Sequence, residues 1–188
     1  MILYINACVR KESRTNELAG YVLSKLEDKE VKEVKLEEID FPKVTQDFLN
    51  KRYAYIDAND YSNPDFELAK DFAEADTIVI GAPFWDLSFP SSLKAYFEQI
   101  CILGLTFYYK DDEPYGLCKA KDLYYVSTAG GPIYSEEYGY GYVRALAHTF
   151  YGIENTHFFK AENLDIAGAD PAAILKKARE EIDAYFND

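Results

Sequence analysis

Strand-like runs alternate with amphipathic helical segments along the whole chain, and this alternation constrains the fold more than any other feature. The clearest run, residues 77–82, reads Thr-Ile-Val-Ile-Gly-Ala. Its β-branched residues and lack of charge predict a central strand buried on both faces. Comparable patterns predict four further strands, of which residues 31–36 take an outer position: 2–7, 31–36, 122–128 and 156–161.

Helical periodicity fills the intervals between these strands. A last helix begins at Pro171, and helical spacing of apolar residues also marks residues 15–29, 65–75, 91–102 and 142–151. Residues 37–64 are less regular, with a short helix near 46–52, and residues 105–117 predict a hairpin. Five strands alternating with helices predict a single α/β domain, residues 1–188, with a parallel doubly wound sheet and helices on both faces.

The charge of the chain limits its partners. Acidic residues outnumber basic ones by 33 to 20, a formal net charge of −13, so we expect no binding to nucleic acid or anionic membranes. No apolar run approaches the roughly 18 residues of a membrane span, and the first residues predict a strand rather than a signal peptide. Cys8, Cys101 and Cys118 form no CxxC pair and the two histidines lie far apart, so we expect reduced thiols, no metal site and a cytoplasmic location.

The first candidate loop follows residue 7, because ligands of parallel sheets bind beyond the carboxyl ends of the strands. It contains no glycine and therefore matches neither a dinucleotide fingerprint nor a P-loop. Basic, hydroxyl and amide side chains instead meet at a predicted helix start, where they can bind an anion: Arg10, Ser13, Arg14, Thr15 and Asn16. This predicts a monophosphate site, and the alternative is an ordinary N-cap at Ser13 beside solvated basic residues.

The other two loops predict a flat ligand. Large aromatic residues follow the central strand in the segment Pro83-Phe84-Trp85-Asp86-Leu87. They can form a wall for a planar ring, or they can instead cover the sheet end or a subunit interface. The third loop, Thr128-Ala129-Gly130-Gly131, has adjacent glycines that allow close backbone approach or simply form a turn. Because the three loops meet at one sheet edge, they predict a pocket with a phosphate end and an aromatic end, which suits FMN.

With these residues the chain resembles the FMN-dependent NAD(P)H:quinone oxidoreductase and azoreductase family, a branch of the flavodoxin-like fold. Residues 10–16 lie where that family has a Ser-rich phosphate loop, and residues 81–97 resemble its Ala-Pro-x-Tyr-Asn-Phe segment and the following helix. Residues 104–117 resemble its Gly-x-Thr-Phe…Gly-Leu hairpin, and residues 128–131 match its Gly-Gly loop. The resemblance implies a flavodoxin-like three-layer sandwich with a five-stranded parallel sheet.

The resemblance also implies how FMN is held. Its phosphate would lie at Arg10, Ser13, Arg14 and Thr15. Its ring would contact the aromatic loop, at Phe84, Trp85, Asp86 and Leu87, and its pyrimidine edge and ribityl chain would lie near Thr128, Ala129, Gly130 and Gly131. Asp86 replaces a neutral family residue, and a carboxylate there would oppose the anionic reduced flavin and lower its potential. Tyr134 is the candidate catalytic residue, as a polar contact to the substrate.

The activity implied by the resemblance is hydride transfer from NAD(P)H through FMN to a quinone, azo or similar small-molecule acceptor. The cycle would be ping-pong, and the enzyme a homodimer whose interface includes the aromatic loops. Two alternatives stay open. The first is an electron carrier of the flavodoxin type without a substrate pocket, and the second is a fold relative that has lost its flavin and acts as a regulatory or binding protein.

Overall fold

The computed structural model describes residues 1–26 and 30–187, and within these residues five strands form a parallel sheet. Along the chain the strands are β1 (Ile2–Asn6), β2 (Val31–Lys35), β3 (Thr77–Gly81), β4 (Phe107–Lys110), β5 (Glu113–Gly116), β6 (Asp122–Thr128) and β7 (Asn155–Ala161). The sheet order is β2-β1-β3-β6-β7, while β4 and β5 form the predicted hairpin, which is antiparallel. The central place predicted for β3 and the outer place predicted for β2 are both confirmed.

Helices cover both faces of this sheet and complete the predicted three layers. The helices are α1 (Arg14–Leu23), α2 (Gln46–Asp57), α3 (Glu67–Glu74), α4 (Ser91–Ile100), α5 (Tyr142–Leu146) and α6 (Pro171–Asn187). On one face, α1 and α6 bury Leu18, Val22 and Ile182 against the sheet. On the other face, α3 and α4 bury Phe72 and Leu93. Removing these apolar side chains from water on both faces stabilises the sandwich.

The helix boundaries differ from those predicted by periodicity. The α1 helix ends at Leu23, because the Ser24 hydroxyl donates to the Tyr21 carbonyl at 2.7 Å and the next backbone N–H groups bond only three residues back. The predicted continuation to residue 29 reaches residues 27–29, which lie outside the described residues. The α2 helix continues to Asp57, well past residue 52, and α5 is the middle of a longer helical run over residues 137–151 with wide turns on both sides.

The strand order opens a crevice at one edge of the sheet. From β1 the chain crosses to β2 on one side, whereas β3, β6 and β7 follow one another on the other side. The loops leaving β1 and β3 therefore diverge, and a cleft forms between them at the carboxyl ends of the strands. Among the helices of the described residues, none combines the length and the apolar character that crossing a bilayer requires.

Candidate active site

A cavity of about 260 Å³ lies in this crevice. Ten of the predicted cofactor-binding residues line it: Arg10, Ser13, Arg14, Thr15, Pro83, Phe84, Trp85, Thr128, Ala129 and Gly130. Five further lining residues were absent from the prediction: Cys8, Val9, Glu12, Leu164 and Asp165. The structure thus brings the three predicted loops together and adds a fourth, the loop after β7. Contact of these residues with a cofactor stays a prediction.

The start of α1 forms the polar end of the cavity. Ser13 is the N-cap, with extended backbone, and its hydroxyl oxygen accepts a hydrogen bond from the Asn16 N–H at 3.2 Å. The cap satisfies one N–H group of the first turn, and the remaining free N–H groups and the helix dipole favour an anion. Arg10 adds positive charge, and its guanidinium lies 6.0 Å from the centre of the Trp85 ring. The polar end is therefore suited to a phosphate.

A buried hydroxyl pair joins α1 to the third loop. The side-chain oxygens of Thr15 and Thr128 lie 2.6 Å apart, and the two residues are 1% and 8% exposed. Because both hydroxyls are satisfied by each other in a buried position, the contact holds the helix start against the end of β6. Thr15 and Thr128 therefore form a buried part of the cavity lining.

Asn16 is exposed at the start of α1 and does not line the cavity. Its side-chain oxygen accepts hydrogen bonds from the Tyr4 hydroxyl at 2.6 Å and from the Asn6 amide at 3.2 Å. Asn6 also donates to Glu33 at 2.8 Å and accepts from the buried Cys8 N–H at 2.9 Å. Burial is the main cause that raises the pKa of the Tyr4 phenol. This network supports the first loop from the side of the sheet. Asn16 is not among the residues that line the cavity, and its predicted contact with a phosphate stays a prediction.

The aromatic wall consists of Phe84 and Trp85. Phe84 continues the alignment of β3 with β6, because its N–H donates to the Thr128 carbonyl at 3.0 Å. Trp85 and Ser88 then close a two-residue turn through a pair of backbone hydrogen bonds. The two residues inside that turn, Asp86 and Leu87, have φ of 51° and 65°, are exposed, and do not line the cavity. Positive φ at both central positions is typical of a type I′ turn, which aims their side chains away from the wall.

The third loop is fastened to the loop after β7. The Asp165 N–H donates to the Gly130 carbonyl at 2.8 Å, and the Asn163 N–H donates to the Gly131 carbonyl at 3.0 Å. A Cβ atom on Gly130 would lie 2.4 Å from an Asp165 carboxylate oxygen, so a larger residue there would displace the Asp165 side chain. A Cβ atom on Gly131 would meet open space, and this residue is not among those that line the cavity.

Tyr134, the predicted catalytic residue, projects from the protein surface. Its side chain is 82% exposed and it does not line the cavity. The preceding backbone is anchored, since the Ile133 N–H donates to the Glu162 carboxylate at 2.9 Å. Tyr134 therefore lies on a held loop with a free side chain, and its contact with a substrate stays a prediction.

Of the five lining residues that the sequence did not predict, three lie in the first loop and two, Leu164 and Asp165, in the loop after β7. Asp165 binds Arg14, and the two residues are separated by 151 positions along the chain. No local motif marks such a pair. Cys8 follows β1 directly and could have been included by position alone; burial is the main cause that raises the pKa of its thiol, which favours the neutral form.

Comparison with known proteins places the chain among flavoprotein relatives. A sequence profile of the family described as having the flavodoxin-like fold matches residues 1–186. The chain is 35% identical over 189 residues to an FMN-dependent NADH:quinone oxidoreductase of Lachnoclostridium phytofermentans, an alignment that covers 96% of this chain and 94% of the relative. It is 32% identical over 192 residues to a protein of the same name from Clostridium perfringens strain SM101, covering 97% and 94% of the two chains.

Solved structures share the architecture. An azoreductase from Bacillus anthracis strain Sterne superposes with a TM-score of 0.83 at 22% identity, covering 99% of this chain and 98% of that one. An FMN-dependent NADH-azoreductase from the Ames Ancestor strain, described in complex with FMN, gives 0.81 at 21% identity, with coverage of 99% and 97%. At this level of identity the likeness concerns the fold.

Proposed function

This chain belongs to the flavodoxin-like fold family, and we propose that it is an FMN-dependent oxidoreductase that passes hydride equivalents from NAD(P)H to a quinone, azo or similar acceptor. The observation that carries the proposal is the meeting of a helix N-terminus and an aromatic wall in one cavity. The names of full-length relatives above 30% identity support the same activity.

The residues present fit FMN. The start of α1, with Arg10 beside it, has the charge and the free N–H donors for a phosphate. Phe84 and Trp85 offer flat apolar faces for the ring system. Thr128, Ala129 and Gly130 line the same cavity and would contact the chain that joins the phosphate to the ring. The three parts therefore supply contacts for the phosphate, the linking chain and the ring of FMN.

When bound, FMN supplies the redox chemistry, by accepting a hydride from NAD(P)H and delivering electrons to the acceptor. The residues of this chain bind and orient the reactants. FMN itself would take the cavity of about 260 Å³, so the nicotinamide and the acceptor would have to reach the flavin from outside it. Our proposal includes a ping-pong order, in which the two substrates use the flavin one after the other.

We also propose a homodimer, because apolar side chains stand exposed near the aromatic wall. Leu87, Tyr134 and Tyr138 are 52%, 82% and 59% exposed. The Ser88 hydroxyl donates to the Tyr138 carbonyl, which places the tip of the aromatic turn beside that helical segment. A second copy of the chain would cover these side chains and extend the shallow cavity.

Two further assignments belong to the proposal. The family match over residues 1–186 supports a single domain. The free thiols of Cys8, Cys101 and Cys118 support a reducing compartment such as the cytoplasm.

The deciding experiment is an absorbance spectrum of the purified protein with added FMN, followed by NADH oxidation in the presence of a quinone. Many turnovers per bound flavin support the oxidoreductase. Oxidation of one NADH per flavin without turnover would indicate an electron carrier, and a protein that stays colourless would indicate loss of flavin binding.

A matched pair of variants ties the activity to the cavity. Arg10→Gln should raise the FMN dissociation constant by roughly fivefold, since an exposed charge contact is worth about 1 kcal/mol. Lys110→Gln removes the same charge from the β4–β5 hairpin, away from the cavity, and should leave it unchanged. Equal binding by both variants and the wild type would remove Arg10 from the site.

A further inference from the structure

The carboxylate of Asp165 lies against Arg14, one of the basic residues that line the cavity. A terminal guanidinium nitrogen of Arg14 lies 2.7 Å from an Asp165 carboxylate oxygen, and the other terminal nitrogen donates to the Leu164 carbonyl at 3.3 Å. Arg14 and Asp165 both line the cavity. Any phosphate bound at the start of α1 therefore meets an arginine that is paired with an anion of the protein itself.

The position of Asp165 is built into the fold. Its N–H donates to the Gly130 carbonyl, while the Leu164 N–H donates to the Ala129 carbonyl at 3.2 Å. Leu164 is buried at 2% exposure, so the loop after β7 is anchored by both backbone and side chain. The second carboxylate oxygen lies against Gly130, where it would be only 2.4 Å from an added Cβ atom. Backbone contacts thus hold the Asp165 backbone at the wall of the cavity, and Arg14 holds its carboxylate.

This ion pair adds little to folding. The Arg14 and Asp165 side chains are 32% and 62% exposed, and solvent-exposed pairs contribute weakly because water screens them. Its effect on an anion in the cavity is larger in two ways. The carboxylate takes an Arg14 donor that a phosphate could use, and its charge repels a dianion at close range. Both effects act on the phosphate and spare an uncharged ligand.

We propose that Asp165 is a specificity-determining residue that competes with the ligand phosphate for Arg14. It lowers the affinity of the cavity for FMN and for inorganic phosphate, and it leaves riboflavin, which has the same ring and no phosphate, unaffected. Asp165, in the loop after β7, therefore reduces the ratio of the affinity for FMN to the affinity for riboflavin. This inference rests on the proposed function for its ligand, and on the Arg14–Asp165 geometry for its mechanism.

The test compares Asp165→Asn with Asp112→Asn. Both variants remove one negative charge, but Asp112 lies in the turn between β4 and β5, outside the residues that line the cavity. The asparagine at position 165 keeps the size of the side chain but offers Arg14 only a neutral oxygen, which a charged phosphate displaces more readily. Flavin fluorescence titrations should show FMN binding to Asp165→Asn tightened by roughly tenfold, with riboflavin binding unchanged. Asp112→Asn should match the wild type with both flavins.

A second pair of measurements examines the route through Arg14. In an Arg14→Gln background, Asp165→Asn should tighten FMN binding by a smaller factor, because only direct repulsion remains to be removed. Inorganic phosphate should raise the melting temperature of Asp165→Asn more than that of the wild type. Both results support competition for Arg14.

Opposite results overturn the inference. Weaker FMN binding by Asp165→Asn would mean that Asp165 holds Arg14 in place for the phosphate. An equal gain for riboflavin, or an equal gain from Asp112→Asn, would mean that the phosphate is not the group sensed. Failure of the proposed function is separate: a wild-type protein that binds neither flavin refutes that function, while the phosphate melting series still decides for or against competition.

Discussion

Replacing Asn6 by alanine should destabilise the protein and loosen the loop that begins at Cys8. Asn6 is a polar residue of β1, 5% exposed, and its side chain makes three hydrogen bonds. It accepts from the Cys8 N–H at 2.9 Å and donates to Glu33 at 2.8 Å and to Asn16 at 3.2 Å. The alanine removes all three contacts without altering the strand.

Most of the expected loss of unfolding free energy comes from one backbone group, the N–H of Cys8. The Cys8 N–H is buried and would lose its acceptor, which costs about 1–3 kcal/mol, whereas Glu33 is exposed and can turn to water. With about 1 kcal/mol for the two amide contacts, the expected loss is roughly 3 kcal/mol of unfolding free energy. For a chain of this size that lowers the melting temperature by roughly 6–12 °C.

A charge variant makes the test sharper. Asn6→Asp keeps an acceptor for the Cys8 N–H but turns a carboxylate toward the oxygens of Glu33 and Asn16, so it should also destabilise. Repulsion raises the pKa of the new carboxyl in the folded state above its unfolded value. The variant should therefore be most stable at acidic pH and lose stability as the pH rises through the folded pKa. Adding Glu33→Gln supplies a donor and should restore much of the loss at neutral pH.

Urea unfolding of five proteins measures these effects: the wild type, Asn6→Ala, Asn6→Asp, Glu33→Gln and the Asn6→Asp/Glu33→Gln double variant. The FMN dissociation constant of each gives a second readout, because Cys8 lines the cavity. An unfolding midpoint of Asn6→Ala equal to that of the wild type would refute the network as a support of the loop. Additive effects of Asn6→Asp and Glu33→Gln would show that the two side chains are not coupled.

Three other outcomes are expected. Ser13→Ala should cost about 1 kcal/mol of stability in thermal unfolding and weaken FMN binding, because the α1 cap is lost; unchanged values would place the cap outside the site. Burial raises the pKa of Cys118 to about 12, so its thiol should react slowly with iodoacetamide at pH 8 until urea is added, and rapid labelling of the native protein would contradict this. The stability that the neutral thiol contributes should be lost as the pH rises from about 9 towards 12. Light scattering should give twice 21.5 kDa for the wild type and 21.5 kDa for Leu87→Asp, and a monomeric wild type would end the dimer proposal.

Much of the fold and part of the site were predictable from local pattern. The uncharged β-branched run at residues 77–82 predicted β3 at the centre, because only a strand covered on both faces carries no polar side. Parallel strands place their following loops at one edge, so the loops after β1, β3 and β6 could be grouped before any contact was known. Ten of the predicted residues line the cavity for this reason.

What only the tertiary structure decided depends on contacts between distant segments. The sequence alone does not tell whether the Asn16 amide contacts a phosphate or the sheet, and only the structure shows that its oxygen accepts from Tyr4 and Asn6 while the residue stays exposed. The position of Asp86 after the central strand predicted that it would face the ligand, whereas the turn with positive φ leaves it exposed. Asp165 meets Arg14 only because β7 pairs with β6 and carries its loop to the same edge. Periodicity reports neighbours three or four residues apart, whereas side-chain direction in this cavity is determined by partners up to 151 residues away.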